Sequence, residues 1–301
     1  MRKLILGTRG SALARRQTQI VSDALRRIAP DIEIEIKAVQ TEGDRRQDVS
    51  LEAFGGEGVF VKDIERRLAA GEIDIAVHSL KDMPARSPDG LTIGTVLPRG
   101  DVRDVLVGRG GARLDALPPG ARLGSDSRRR AVQVLALRSD VEMISIRGNV
   151  DTRLRKVQSG DYDGVLLAAA GLERLGLIGE VSQFFSVDEV LPAVGQAVLA
   201  VQCRADDAET LSLLGRVDDP TTRAAITAER AFLDRLGAGC RLPVGAYAEV
   251  SGRRLHLRGL LADDSGRIAR DDVTGAISDA EQVGVELALR LASELNLELV
   301  R

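Results

Sequence analysis

The chain has 301 residues, 44% of them hydrophobic and 29% charged, which is a soluble globular balance with enough length for two or three domains. Aromatics make up 2% with no Trp, which argues against stacking platforms for single-stranded nucleic acid, and a net charge of -3 supplies no basic field for a nucleic-acid partner. The N-terminal apolar run breaks at Gly7, and no run approaches the ~18 residues of a membrane span, so the expectation is a cytoplasmic protein with no membrane partner.

In chain order, "KLIL" reads as a strand and "SALARRQTQIVSDALRRIA" as a helix. "IEIEIKAV" reads as a strand, "VKDIERRLAAG" as a helix ended by Gly71, and "IDIAV" as the next strand. A second unit starts near Arg103: strand "ARLG", helix "RRRAVQVLALR", strand "MISI", helix "VDTRLRKVQSG" and strand "GVLLAAA". The apolar run Ala197 to Val201 returns the chain to the first sheet. From about Pro220, the helix "TTRAAITAERAFLDRLG", the loop "AGCRLPVG", alternating strands and a last helix from Ala280 suggest a small α+β domain. Alternating strand and helix over the first two-thirds predicts βαβ units and mainly parallel sheets. The expected boundaries are 1–102 plus about 196–217, 103–195, and 218–301.

Ligands of open parallel sheets bind beyond the carboxyl ends of the strands. The residues there are Thr8-Arg9-Gly10-Ser11, His78-Ser79-Leu80-Lys81-Asp82, Ser125 to Arg130, Arg147-Gly148-Asn149 with Arg153 one turn on, and Arg174. The triple arginine opens a helix, where the macrodipole disfavours cations, so local rules are broken as they are at functional sites. Helix N–H groups and guanidiniums together suit a ligand with several carboxylates or phosphates. No Walker or GxGxxG pattern occurs, which argues against nucleotides. Asp82 is open to two readings, a catalytic carboxylate or a balancing ion pair. His78 reads as a core hydrogen-bonding residue. Cys203 reads as a small core residue and Cys240 as a loop thiol. The two cysteines fit no metal pattern and the two histidines lie far apart, so no metal site is expected.

The stretches "TRGSALA", "AVHSLKDMP", "SIRGNVDTRLRKVQSGDYDGVLLAAAGLERLGL", "LPAVGQ", "TAERAFL" and "GAGCRLPVG", in this order, resemble the porphobilinogen deaminase family over most of the chain. The resemblance implies an α/β fold: two periplasmic-binding-protein-like lobes with mainly parallel sheets, plus a small C-terminal α+β domain carrying the cofactor cysteine. It implies a monomeric, cytoplasmic transferase of tetrapyrrole biosynthesis. Such an enzyme joins four porphobilinogen molecules head to tail into hydroxymethylbilane, releasing ammonia at each step, on a dipyrromethane cofactor held by a thioether.

Carried over residue by residue, the resemblance makes Asp82 the catalytic aspartate and Cys240 the cofactor-bearing cysteine. Ser11, Asp44, Lys81, Ser127, Arg129 and Arg130 match the remaining cofactor contacts. Arg9, Gln17, Ser79, Arg147, Arg153, Arg174 and Gln196 match substrate contacts. Three positions depart from the pattern: Glu57 stands where lysine is common, Asp126 where a small hydroxyl residue is usual, and Ala197 where glycine is usual. The two carboxylates would weaken anion binding unless turned away or paired. A non-catalytic two-lobed binding protein for polycarboxylates would also explain the arginines. It explains neither Cys240 nor the third domain.

Overall fold

The computed structural model describes residues 3–41, 61–237 and 242–299. It divides into two compact units, 1–100 with 198–223, and 101–197 with 224–301. The chain passes from one to the other at Gly100/Asp101, Ala197/Val198 and Arg223/Ala224.

The first unit contains β1 (Lys3–Arg9), α1 (Ala12–Ile28), β2 (Glu33–Val39), α2 (Lys62–Ala69), β3 (Ile75–Ser79), β4 (Leu91–Val96), and, after the return, β10 (Leu199–Arg204) and α6 (Ala208–Gly215). Its sheet has the order β2-β1-β3-β10-β4. β1 pairs parallel with β2 and β3, and β10 pairs antiparallel with β3 and β4, so four strands run one way and β10 runs against them. Ser11 starts α1 by accepting a hydrogen bond from the Ala14 N–H, and Arg26 and Arg27 close it where the dipole favours cations. Val21, Ala24 and Leu25 recur at helical spacing and pack with Leu4, Leu6, Ile75 and Val201. Ile64 and Leu68 of α2 cover the opposite face with Ile73 and Ala76. Gly7 leaves room for this packing: a Cβ there would lie 2.2 Å from Ile73 Cδ1, so the tip of that side chain would have to shift.

The second unit holds β5 (Asp104–Gly108), β6 (Arg122–Gly124), α3 (Arg128–Leu137), β7 (Glu142–Ile144), α4 (Val150–Gln158), β8 (Gly164–Ala168), α5 (Ala169–Arg174) and β9 (Gln183–Phe184). The order is β7-β6-β8-β5-β9, again with four strands in one direction and one, β5, reversed. In both sheets the reversed strand is the one that begins just after the chain has crossed from the other unit. Mainly parallel sheets are therefore what the chain builds, and the antiparallel member of each follows from connectivity that no local pattern encodes.

α7 (Pro220–Leu236) leads to the antiparallel meander β11 (Val244–Ser251), β12 (Arg254–Ala262) and β13 (Ile268–Ala276), closed by α8 (Ala280–Glu294). Phe232, Leu255, Leu257, Leu261, Leu287 and Leu291 form its core. Glu229 of α7 is fully buried; its Oε2 accepts the Gly195 N–H at 2.7 Å and its Oε1 accepts the Ala248 N–H at 2.9 Å. One carboxylate thus ties the helix to β11 and to the loop ahead of the crossing. Next to that crossing Ala197 has φ 71, in the left-handed region where a Cβ is strained by about 1–2 kcal/mol.

Candidate functional site

In the first unit the adjacent parallel strands β1 and β3 end together. β1 delivers Arg9 and the Ser11 cap, and β3 delivers His78 and Ser79, followed by a 3₁₀ turn over Leu80–Asp82. The Gln17 side chain of α1 donates to Ser79 Oγ at 2.9 Å, tying the helix to the strand end. The Leu80 N–H donates to the Val198 carbonyl, and Met83 N–H closes the turn onto Leu80. Leu80 and Met83 are buried while Lys81 and Asp82 between them are exposed. The apolar residues therefore anchor the turn and present an ammonium and a carboxylate outward. Arg9, Ser11, Gln17, Ser79, Lys81 and Asp82 are brought to one end of one sheet.

His78 sits beneath this group, buried, with its pKa lowered to about 4. Burial is the main cause; Gln202 opposes it and the Arg9 charge adds to it. His78 Nε2 and Gln202 Oε1 both lack hydrogen-bond geometry with any partner, so the apolar surroundings decide. In unfolded chains histidine takes its proton near pH 6.5, whereas the folded site refuses it until about pH 4. The stability that depends on a neutral His78 is therefore complete above pH 6.5 and falls as pH drops toward 4, by roughly 3 kcal/mol in total. Urea titrations from pH 7 to 4 are expected to show this slope in the wild type and a flatter one in His78→Gln. Equal slopes would remove His78 as the cause.

In the second unit the carboxyl ends of β6, β7 and β8 lie beside the start of β5, where Asp104 is in register with Ala168. Ser127 caps α3, accepting the Arg130 N–H. Arg128 points outward to Asp264. Arg129 and Arg130 turn inward and are buried. Arg129 Nη1 donates to Asp104 Oδ2 and to the Leu191 carbonyl, both at 2.6 Å. Arg130 donates to Asp104 Oδ1 through Nε at 2.8 Å and Nη2 at 2.7 Å, and to the Leu166 carbonyl through Nη1. Gln196 Nε2 donates to the Val102 carbonyl and to Asp104 Oδ1. Among the described residues two guanidiniums thus share one carboxylate, leaving a buried excess of positive charge there; burial lowers the Arg129 pKa despite Asp104. Sequence reasoning missed Asp104. Its only signal is a charge opening the otherwise apolar strand "DVLVG".

Arg147 lies between β7 and α4, and its Nε is buried without a hydrogen-bond partner. Arg153 Nε donates to the Gly148 carbonyl, and Arg174 Nη2 donates to the Ala197 carbonyl at 2.6 Å. Burial lowers the Arg174 pKa. Asp126 is turned onto the next loop, where its Oδ1 accepts from Ser145 Oγ and the Ile146 N–H, while Oδ2 lies 3.8 Å from Arg153. Cys203 is buried within β10, and burial pushes its thiol up to about 11, which suits a core residue rather than a nucleophile. Cys240, Asp44 and Glu57 lie outside the described residues.

Two family models match the chain: the porphobilinogen deaminase dipyromethane cofactor binding domain over residues 4–212, and the porphobilinogen deaminase C-terminal domain over residues 223–293. Porphobilinogen deaminase of Brevibacillus brevis is 48% identical over 98% of this chain and 95% of its own length. This chain belongs to the porphobilinogen deaminase family. The enzyme of that name from a Roseiflexus species is likewise 48% identical, over 97% of this chain and 96% of its own. Among solved structures, the methionine binding protein MetQ aligns with TM-score 0.46 at 10% identity, covering 71% of this chain and 89% of that one. Membership in the family spans both units and the C-terminal meander. No helix among the described residues is long and apolar enough to cross a membrane.

Proposed function

We propose that this chain is a porphobilinogen deaminase (hydroxymethylbilane synthase). It is a monomeric, cytoplasmic transferase that condenses four porphobilinogen molecules head to tail, with loss of one ammonia per coupling. The observation that carries the reading is full-length similarity to enzymes of that name in a chain that also presents the exposed Asp82 beside cations at one sheet end.

The donor set fits a dipyrromethane with acidic side chains. Lys81 and Arg9 are cationic, Ser11, Ser79 and Ser127 offer hydroxyls, Arg129 and Arg130 carry excess positive charge, and Arg147 retains an unpaired buried N–H. When bound through Cys240, the cofactor supplies the free pyrrole carbon from which the chain grows. Ser11, Asp44, Lys81, Ser127, Arg129 and Arg130 would hold it. Arg9, Gln17, Ser79, Arg147, Arg153, Arg174 and Gln196 would orient incoming porphobilinogen carboxylates. Asp82 would stabilise positive charge developing on the substrate as ammonia leaves, and would move protons at the departing amine. A tethered primer makes each coupling intramolecular apart from substrate entry.

Intact mass spectrometry tests the covalent arm. Wild-type protein is expected to carry an added dipyrromethane mass, Cys203→Ser to keep it, and Cys240→Ser to fold without it. An adduct that survives in Cys240→Ser would overturn the assigned attachment. Turnover of porphobilinogen by a wild type with no adduct would overturn the primer.

A further inference from the structure

Asp126 lies in the loop after β6, and its surroundings show what it does. Its Oδ1 is fully occupied by Ser145 Oγ and the Ile146 N–H at 3.1 Å, which fixes the carboxylate against the loop after β7. Tyr162 holds the same loop from behind, donating to the Ser145 carbonyl at 2.7 Å. These contacts hold the carboxylate against that loop. Its Oδ2 is buried, makes no hydrogen bond, and lies 3.8 Å from Arg153 Nη2. That is an ion pair by charge without the hydrogen bond that would close it. The same loop carries Arg147, whose Nε is also buried and unpaired. An anionic oxygen without donors and a cationic donor without an acceptor thus occupy neighbouring loops of one sheet end, although both could have been satisfied had the groups met.

We propose that Asp126 is a built-in competitor for the carboxylate site at Arg153: a positioning residue that lowers affinity for acidic ligands and so sets how readily porphobilinogen, and the growing acidic chain, is held and released. The proposal rests on the reading of Arg153 as a substrate contact. A fixed negative charge beside a guanidinium neutralises part of its field and repels a second carboxylate arriving there.

Asp126→Asn keeps the acceptor for the Ile146 N–H and removes the charge. It is expected to lower KM for porphobilinogen about 3- to 10-fold at low ionic strength without raising kcat, and to bind glutarate, an inert dicarboxylate probe, tighter by a similar factor in calorimetry. Both differences should shrink toward wild type at about 0.5 M salt, and both should be smaller in an Arg153→Gln background, where only the direct repulsion is left. A purely structural role predicts instead a lower melting temperature with unchanged affinities. If the Asn variant folds poorly, Asp126→Ser takes its place. Unchanged or weaker KM and glutarate affinity in a normally folded variant would overturn the proposal. Absence of porphobilinogen turnover in every variant would count against the enzymatic reading, while the glutarate measurements would still decide the competition at Arg153.

Discussion

Asp82→Asn is expected to fold as the wild type does and to lose turnover by about 10²–10³, with a further roughly 10²-fold if proton transfer is also lost. The structural part of the expectation follows from the turn itself. Leu80 and Met83 supply its buried anchors, and backbone hydrogen bonds to Val198 and within the turn hold it, so the exposed carboxylate at position 82 is not what maintains it. Asn preserves the shape and removes only the charge. Asp82→Glu keeps the charge, displaced by one methylene, and should retain more activity than Asn. On the proposed covalent primer, slowed variants should accumulate enzyme-bound intermediates visible as stepped masses. Melting temperature and single-turnover rate measured on the same preparations separate this from a counter-ion role. The counter-ion role predicts lower stability with near-normal turnover of the folded fraction, and a stable Asn variant with near-normal turnover would remove Asp82 from the chemistry.

The largest effect on stability is expected at Asp104. It is 1% exposed and is the acceptor for three guanidinium nitrogens and one amide. Asp104→Asn leaves Arg129 and Arg130, both buried, with no other paired carboxylate among the described residues. Breaking one side of a buried ion pair typically costs about 3–5 kcal/mol, because the surviving charge remains out of water. For a chain of this size the melting transition should fall by roughly 10 °C. The effect should be non-additive with Arg130→Met, since removing both partners removes the uncompensated charge as well as the pair. An Asn variant melting within a degree or two of wild type would show that the two arginines find solvent or another anion, and that Asp104 is not what holds them in place.

Much of the candidate site was legible because it is local. Strands followed by helices identify sheet ends, and the residues just past each strand are the ones a ligand meets; this is why Arg9, Ser79, Lys81, Asp82, Ser127 and Arg147 could be named from spacing alone. The helix from Ala280 and the core role of Cys203 follow equally from short patterns. What the pattern could not carry was direction and partnership. Nothing local says that β5 and β10 run against their sheets, because strand direction depends on where the chain comes from rather than on which residues alternate. That reversal is what puts Asp104 at the same end as the triple arginine. From sequence, Arg129 and Arg130 are cations breaking the rule for a helix N-terminus; in the folded chain a carboxylate 25 and 26 residues away largely offsets the cost. Asp126 follows the same logic. Its identity is a local fact, but whether it repels a ligand or is absorbed by a neighbour depends on Ser145, Ile146 and Arg153, brought to it by the crossover from β6 to β7. The sequence by itself determined the family, most of the elements and the side chains that follow the strand ends. Only the tertiary structure decided which of those charges meet, because Coulomb and hydrogen-bond energies act over a few ångströms in space and are blind to separation along the chain.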